Sequence, residues 1–285
     1  MTHQTEDLKN NSVGLALADT EWQDNHYGAM QPEYEEMLRW VGIQPGWKVL
    51  DAACGAGGFL PLMAELVGPA GEVHAIDLDP QVVEVVNQRF AKGNSLAPVF
   101  ARVGDLLKLP YDDSTFDVAW CANASAYLTD DQCWQMLREL KRVVRPGGLV
   151  AIKEYDATGC QYQPCPPTLW LRFFEAFSRS SNPQLASINR DTRLGEWLRA
   201  VGLVDTCQRP TLMVRFQPLR DVERQFIRDL LRWKAGHAAG FELPAEDREI
   251  WAKLADVDAH DHILNHPDFQ YRAIQTVFVG RVPPK

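Results

Sequence analysis

No apolar run in this sequence approaches the roughly 18 residues of a membrane-spanning helix. The first residues are polar and acidic rather than shaped like an export signal, so a cytoplasmic location is expected. Positive charge is scarce too: 29 Lys and Arg against 38 Asp and Glu leave a formal charge of −9. Holding a nucleic-acid backbone relies on Lys and Arg neutralising phosphates, so no nucleic acid is expected as a partner. The six cysteines follow no ligand spacing. Cys160 and Cys165 stand together without the second pair that a zinc site requires, so free thiols and no metal are expected. No internal repeat or low-complexity tract is visible.

What is present suits a globular chain. With 285 residues, 46% hydrophobic and 24% charged, it can bury one substantial α/β core and carry an appended part. The stretch Val49-Leu50-Asp51-Ala52-Ala53-Cys54-Gly55-Ala56-Gly57-Gly58 organises the rest. It reads as a short buried strand that breaks into a Gly- and Ala-rich turn, followed by an apolar helix from Phe59 to Val67. Small residues let the backbone approach a ligand, and the helix N-terminus offers free N–H groups. A dinucleotide fingerprint wants a third glycine where Leu60 stands, which disfavours a nicotinamide cofactor. Asp51, at the strand end, can organise the loop or hold a cationic ligand group. About 25 residues on, a second strand ends at Asp77, whose carboxylate can accept from both hydroxyls of a ribose. A third, Pro98 to Val103, ends at Gly104-Asp105-Leu106, where an acid could accept from an adenine amino group.

Together these motifs resemble the successive cofactor motifs of class I S-adenosylmethionine (SAM) dependent methyltransferases. Leu109 to Val118 and Leu137 to Gly148, with Arg145-Pro146-Gly147-Gly148, are similar to the later motifs of that family. The resemblance covers residues 20–157 well and the remainder in outline. One departure is Ala53, where the family more often carries Gly. The resemblance implies S-adenosyl-L-methionine as cofactor, held by Asp51, Ala53, Gly55 and Gly57 in the loop. Asp77, Leu78, Asp105, Leu106 and Asn123 would follow at later strand ends. N-terminal helices, residues 1–40, would fold over the methionine end; there Tyr27 either lies near the sulfonium or packs against the core.

The implied fold is α/β: a doubly wound, Rossmann-like seven-stranded sheet with an antiparallel last strand, plus a helical cap. Strands are expected at 48–53, 73–77, 98–103, 116–122 and 148–154, with helices near 58–67, 80–92 and 130–145 between them. Residues 41–157 make the cofactor core. Thr158 to Pro167 reads as a loop, and Thr168 to Arg179 as an amphipathic helix. Leu203 to Phe216 and Tyr271 to Gly280 are strand-like, so 191–217 and 267–285 complete the sheet. The inserts 158–190 and 218–266 read as the cap.

The acceptor side is where expected groups are missing. Amine methylases of nucleic acids carry Asn/Asp-Pro-Pro-Tyr/Phe after the fourth strand, whereas this chain has Asn123-Ala124-Ser125-Ala126-Tyr127. Small-molecule O-methyltransferases of similar layout place His here, and Ala126 and Tyr127 occupy those positions. Tyr127 can orient an acceptor or form a pocket wall; an unperturbed phenol, near pH 10, is a poor base. Glu154 is the better-charged catalytic candidate. Tyr155, Trp170, Phe173, Phe174 and His262 are candidates for contacting the substrate, although amphipathic helices also bury aromatics in ordinary cores. His260, His262 and His266 with their neighbouring acids read more readily as capping and a turn than as a metal site. The expected activity is methyl transfer to an oxygen or nitrogen of a small molecule. C-methylation of a quinone-like ring and non-catalytic SAM binding are the alternatives.

Overall fold

The computed structural model describes residues 20–91, 93, 96–179 and 190–284. The expectation for 1–19 and part of the 158–190 insert lie outside these. Seven strands form one sheet, ordered β3-β2-β1-β4-β5-β7-β6. They are β1 Lys48–Ala52, β2 Glu72–Asp77, β3 Val99–Val103, β4 Phe116–Ala122, β5 Val144–Gln163, β6 Val204–Phe216 and β7 Gln270–Arg281. The first five run parallel, while β7 pairs antiparallel with both β5 and β6.

Both faces of the sheet are covered, which is why its strands read as apolar runs rather than alternating ones. Successive strand residues point to opposite faces. Val49, Val118 and Trp120 therefore join the core beneath α1 Thr20–Val41, α2 Leu60–Val67 and α3 Pro80–Phe90. Leu50, Ala119 and Cys121 join the other core, beneath α4 Asp130–Val143 and α6 Asp191–Ala200. The helix starts obey local chemistry. Asp79 caps α3 by accepting from the Gln81 N–H at 2.7 Å, with Pro80 in the first turn. Thr129 and Gln132 form a reciprocal capping box at the start of α4.

Two elements depart from the sequence expectation. From Thr20 on, the expected N-terminal helices are one continuous helix, α1, with Pro32 inside it. Pro32 has no N–H for the Gly28 carbonyl four residues back. Arg220 Nη2 donates to that carbonyl instead, at 3.3 Å, and Arg215 Nε donates to the Ala29 carbonyl at 2.8 Å. The second departure is β5, which continues to Gln163, so residues 158–163 are strand and not loop. A register shift between Asp156 and Gln161 lets the strand resume pairing with β7. Cys160 and Tyr162 are buried while Gln161 is not, the alternation of a half-covered strand. At Gly159 a Cβ would meet the Ile274 side chain at 2.6 Å, so glycine permits the close approach.

Three further helices follow: α5 Pro167–Ser178, α7 Asp221–Ala238 and α8 Ala245–Ala255. They share one apolar cluster in which Trp170, Phe173, Phe177, Phe226, Leu231 and Trp251 are all buried. None of the described helices is long and apolar enough to cross a membrane.

Candidate active site

The turn after β1 runs through left-handed backbone: φ is 65° at Ala53, 50° at Gly55 and 83° at Gly57. At Gly58 a Cβ would lie 2.6 Å from ring carbons of Tyr27, so α1 rests directly on the turn. Gln23 of α1 accepts from the Ala56 N–H at 2.6 Å. Arg89 of α3 ties the same turn down, donating to the Ala56 carbonyl and to Asp24, both at 2.8 Å. Tyr27 also meets Phe59 edge-on, with ring centroids 5.1 Å apart.

Asp51 is fully buried at the end of β1, and its Oδ2 has no hydrogen-bond partner among the described residues. Burial, with Asp77 adding repulsion, pushes its carboxyl up to about 8. A buried acid with an orphaned oxygen can accept an ammonium group. At the tip of β2, Asp77 accepts from the Gly55 N–H at 3.0 Å and the Asp79 N–H at 3.1 Å. Leu78 beside it is 46% exposed, an apolar surface free to meet a flat ring. Beyond β3, the exposed Asp105 accepts from the Leu107 N–H at 2.8 Å, and Leu106 is half-buried. Acid, glycine turn, acid, apolar side chain and acid thus follow one another along the strand ends. This donor and acceptor set fits an amino acid attached to a nucleoside.

A cavity walled largely by aromatic side chains opens beside this row. Its floor is the segment Asn123–Tyr127 after β4. Asn123 has φ 56°, and its Oδ1 accepts from Lys153 Nζ at 2.6 Å. The Glu154 carboxylate accepts from the Ser125 N–H at 2.8 Å. His26 stacks on Phe226 at 4.9 Å and sits 2.8 Å from the Tyr34 hydroxyl. Gln275 Nε2 lies 3.1 Å from the same hydroxyl. Burial first and Lys153 second hold His26 down at about 3, so it is neutral across physiological pH.

Asp191, at the start of α6, also faces the cavity. It is 7% exposed, and its Oδ1 has no hydrogen-bond partner among the described residues. Burial, reinforced by Asp156 and Glu154, raises it to about 7.

Of the residues expected to meet a substrate, Tyr127, Glu154, Tyr155 and Phe174 line the cavity. Trp170, Phe173 and His262 do not line it. Trp170 packs on Tyr162 with the rings tilted and their centroids 4.2 Å apart, and meets Trp251 edge-on. Phe173 packs 4.8 Å from Trp251 and 5.7 Å from Phe241. His262 is buried against its own turn, where Nδ1 accepts from the Leu264 N–H at 3.2 Å. These three hold the insert helices to one another and to the sheet. Sequence reasoning missed the lining residues of α7, namely Phe226, Leu230, Trp233 and Lys234. Their spacing of four, three and one marks one helix face, so a signal was there. It also missed Trp22, His26 and Asp191, the last of which looks like any acid in a first helical turn.

Comparison with known proteins bears on the fold and the family. Residues 49–148 match the family model described as a methyltransferase domain. The demethylmenaquinone methyltransferase of Geobacillus sp. is 34% identical over 124 residues, 42% of this chain and 50% of that one. The protein of the same name from Halalkalibacterium halodurans is 27% identical over 188 residues, 62% of this chain and 75% of that one. The chain spans about half the length of most of the curated relatives it matches. Among solved structures, the YcgJ protein of Bacillus subtilis shares the fold, with a TM-score of 0.56, 16% identity, and 87% and 97% of the two chains covered. By the family-model match, the core of this chain over residues 49–148 is a methyltransferase domain.

Proposed function

We propose that the chain transfers a methyl group to a nitrogen or oxygen of a small molecule carrying a flat, apolar body. The observation that carries this reading is the aromatic cavity that meets the cofactor row at Asn123 and holds buried carboxylates. When bound, SAM supplies a methyl carbon on a sulfonium, already activated for in-line displacement by an acceptor's lone pair. The protein then has to bind, orient and exclude water. Asp51 receives the amino-acid ammonium and Asp77 the ribose hydroxyls, while Leu78 and Leu106 flank the base and Asp105 accepts from its amino group. Tyr27, resting on Gly58, closes the methionine end. Tyr127 and Tyr155 orient the acceptor from the floor and one wall. Glu154, already engaged by Ser125, fixes the 123–127 turn rather than moving a proton. The helices α5, α7 and α8 act as a cap that excludes water from the acceptor.

A second reading, C-methylation of a quinol ring, is supported by the name of the curated relatives and by the same ring-lined walls. Incubating the protein with SAM and a panel of amines, phenols and quinols, then locating any new methyl by mass spectrometry and NMR, separates the two. Methyl on ring carbon alone would overturn the first.

A further inference from the structure

The charged groups that line the cavity or lie next to it are unevenly compensated. Glu154, from β5, is held by Ser125 and lies beside Lys153. Lys153 donates to Asn123, and Lys234 of α7 donates to the Tyr162 hydroxyl at 3.0 Å. Arg190, just before α6, spends its guanidinium on Asp130 and the Ser125 carbonyl. His26, from α1, is neutral and bonded to Tyr34. Asp156 of β5 accepts from the Thr158 hydroxyl and N–H. Asp191 is the exception: it lines the cavity, and its buried Oδ1 finds no partner among the described residues. Ring surfaces of Trp22, Phe226 and Trp233 line the same cavity.

We propose that the acceptor is a primary or secondary amine, entering as its ammonium on a flat apolar body, and that Asp191 both anchors it and removes its proton. This rests on the methyl-transfer reading. A buried carboxylate with one unpartnered oxygen can take one positive charge, and ring faces attract cations. In the proton step, one N–H bond breaks, its electron pair stays on nitrogen as the attacking lone pair, and the proton moves to Asp191 Oδ1. The nitrogen regains positive charge as its new bond forms, next to the same rings and to Glu154. The proton leaves Asp191 for water once the product has gone. A phenolate or an anionic quinol would instead be generated beside the Glu154 and Asp156 carboxylates, where like charge disfavours it.

The test uses three ligands of one shape, titrated calorimetrically into the full chain saturated with S-adenosylhomocysteine at about pH 8: tryptamine (cation), 3-ethylindole (neutral) and indole-3-propionate (anion). Tryptamine should bind at least about tenfold tighter than 3-ethylindole, the size of one charge-assisted contact, with the propionate weakest. Its affinity should fall as pH drops through 7 while that of 3-ethylindole stays level. Asp191→Asn should abolish the preference yet leave S-adenosylhomocysteine affinity unchanged. Equal or weaker binding of tryptamine in the wild-type chain, or no binding of any of the three, overturns the proposal and needs no variant. Failure of S-adenosylhomocysteine to bind while tryptamine is still selected would instead overturn methyl transfer and leave Asp191 as an ammonium site.

Discussion

Lys153, buried beneath the cavity floor, donates through Nζ to the Oδ1 of half-buried Asn123 at 2.6 Å, and the same Nζ lies 4.0 Å from the centre of the Tyr34 ring. The pair fixes Asn123 in its left-handed conformation at the junction of cofactor row and cavity. It also places a cation close enough to His26 to oppose that ring's protonation.

Lys153→Met keeps the length of the side chain but orphans Asn123 Oδ1 and removes the counter-charge of Glu154. Urea unfolding should show a loss of about 3 kcal/mol, as for a broken buried pair. His26, relieved of its neighbour, should titrate at a higher pH by NMR. Unchanged stability together with an unmoved His26 would remove the pair from the architecture of the floor.

Ala53 pays a conformational penalty at φ 65°, about 1–2 kcal/mol for a residue with a Cβ. Ala53→Gly removes that strain and gives back part of it through a more flexible unfolded chain. The expected outcome is a gain of about 0.5–1 kcal/mol, seen as a higher midpoint in thermal unfolding. A lower midpoint would show that the turn is unstrained.

Asp77→Ala removes the acceptor for the Gly55 and Asp79 N–H groups as well as the proposed ribose contact. S-adenosylhomocysteine should bind about 1.5–3 kcal/mol more weakly by calorimetry, the worth of a hydrogen bond to a charged group. Unchanged affinity would take Asp77 out of the site.

The pH dependence follows from Asp51, raised in the folded chain from 3.8 to about 8. Between those values the native state keeps a proton that the unfolded chain has released, so stability falls as pH rises across the window. Asp51→Asn lacks this slope, and its stability relative to wild type should therefore climb from pH 4 to pH 8. Binding of the cofactor ammonium ionises Asp51, so S-adenosylhomocysteine should release protons near neutral pH and bind more tightly as pH approaches 8. Calorimetry in buffers of different ionisation heat measures that release. Proton uptake would contradict the assignment.

The strand, glycine turn and strand-end acids were legible because each depends on local spacing that the fold cannot alter. The antiparallel β7 was legible from its apolar run and the family resemblance. The acceptor side was legible only in outline. Trp170, Phe173 and Phe174 share one helical stripe, and neighbouring positions on a helix differ by about 100° in direction. That difference sends Phe174 to the cavity and Phe173 into the packing against Trp251. Lys153 looks like any lysine late in a strand until Asn123 and Tyr34 are brought around it. Residues 158–163 read as loop because Gly159 and Pro164 mark breaks, whereas Gly159 admits the Ile274 side chain and lets the strand continue.

Calorimetric titration of the purified chain with S-adenosylhomocysteine tests the central claim most directly. The expected result is saturable one-to-one binding in the micromolar range, about 8 kcal/mol, lost or strongly weakened in Asp77→Ala. Absence of any binding heat at millimolar ligand, with the protein folded by circular dichroism, would contradict it.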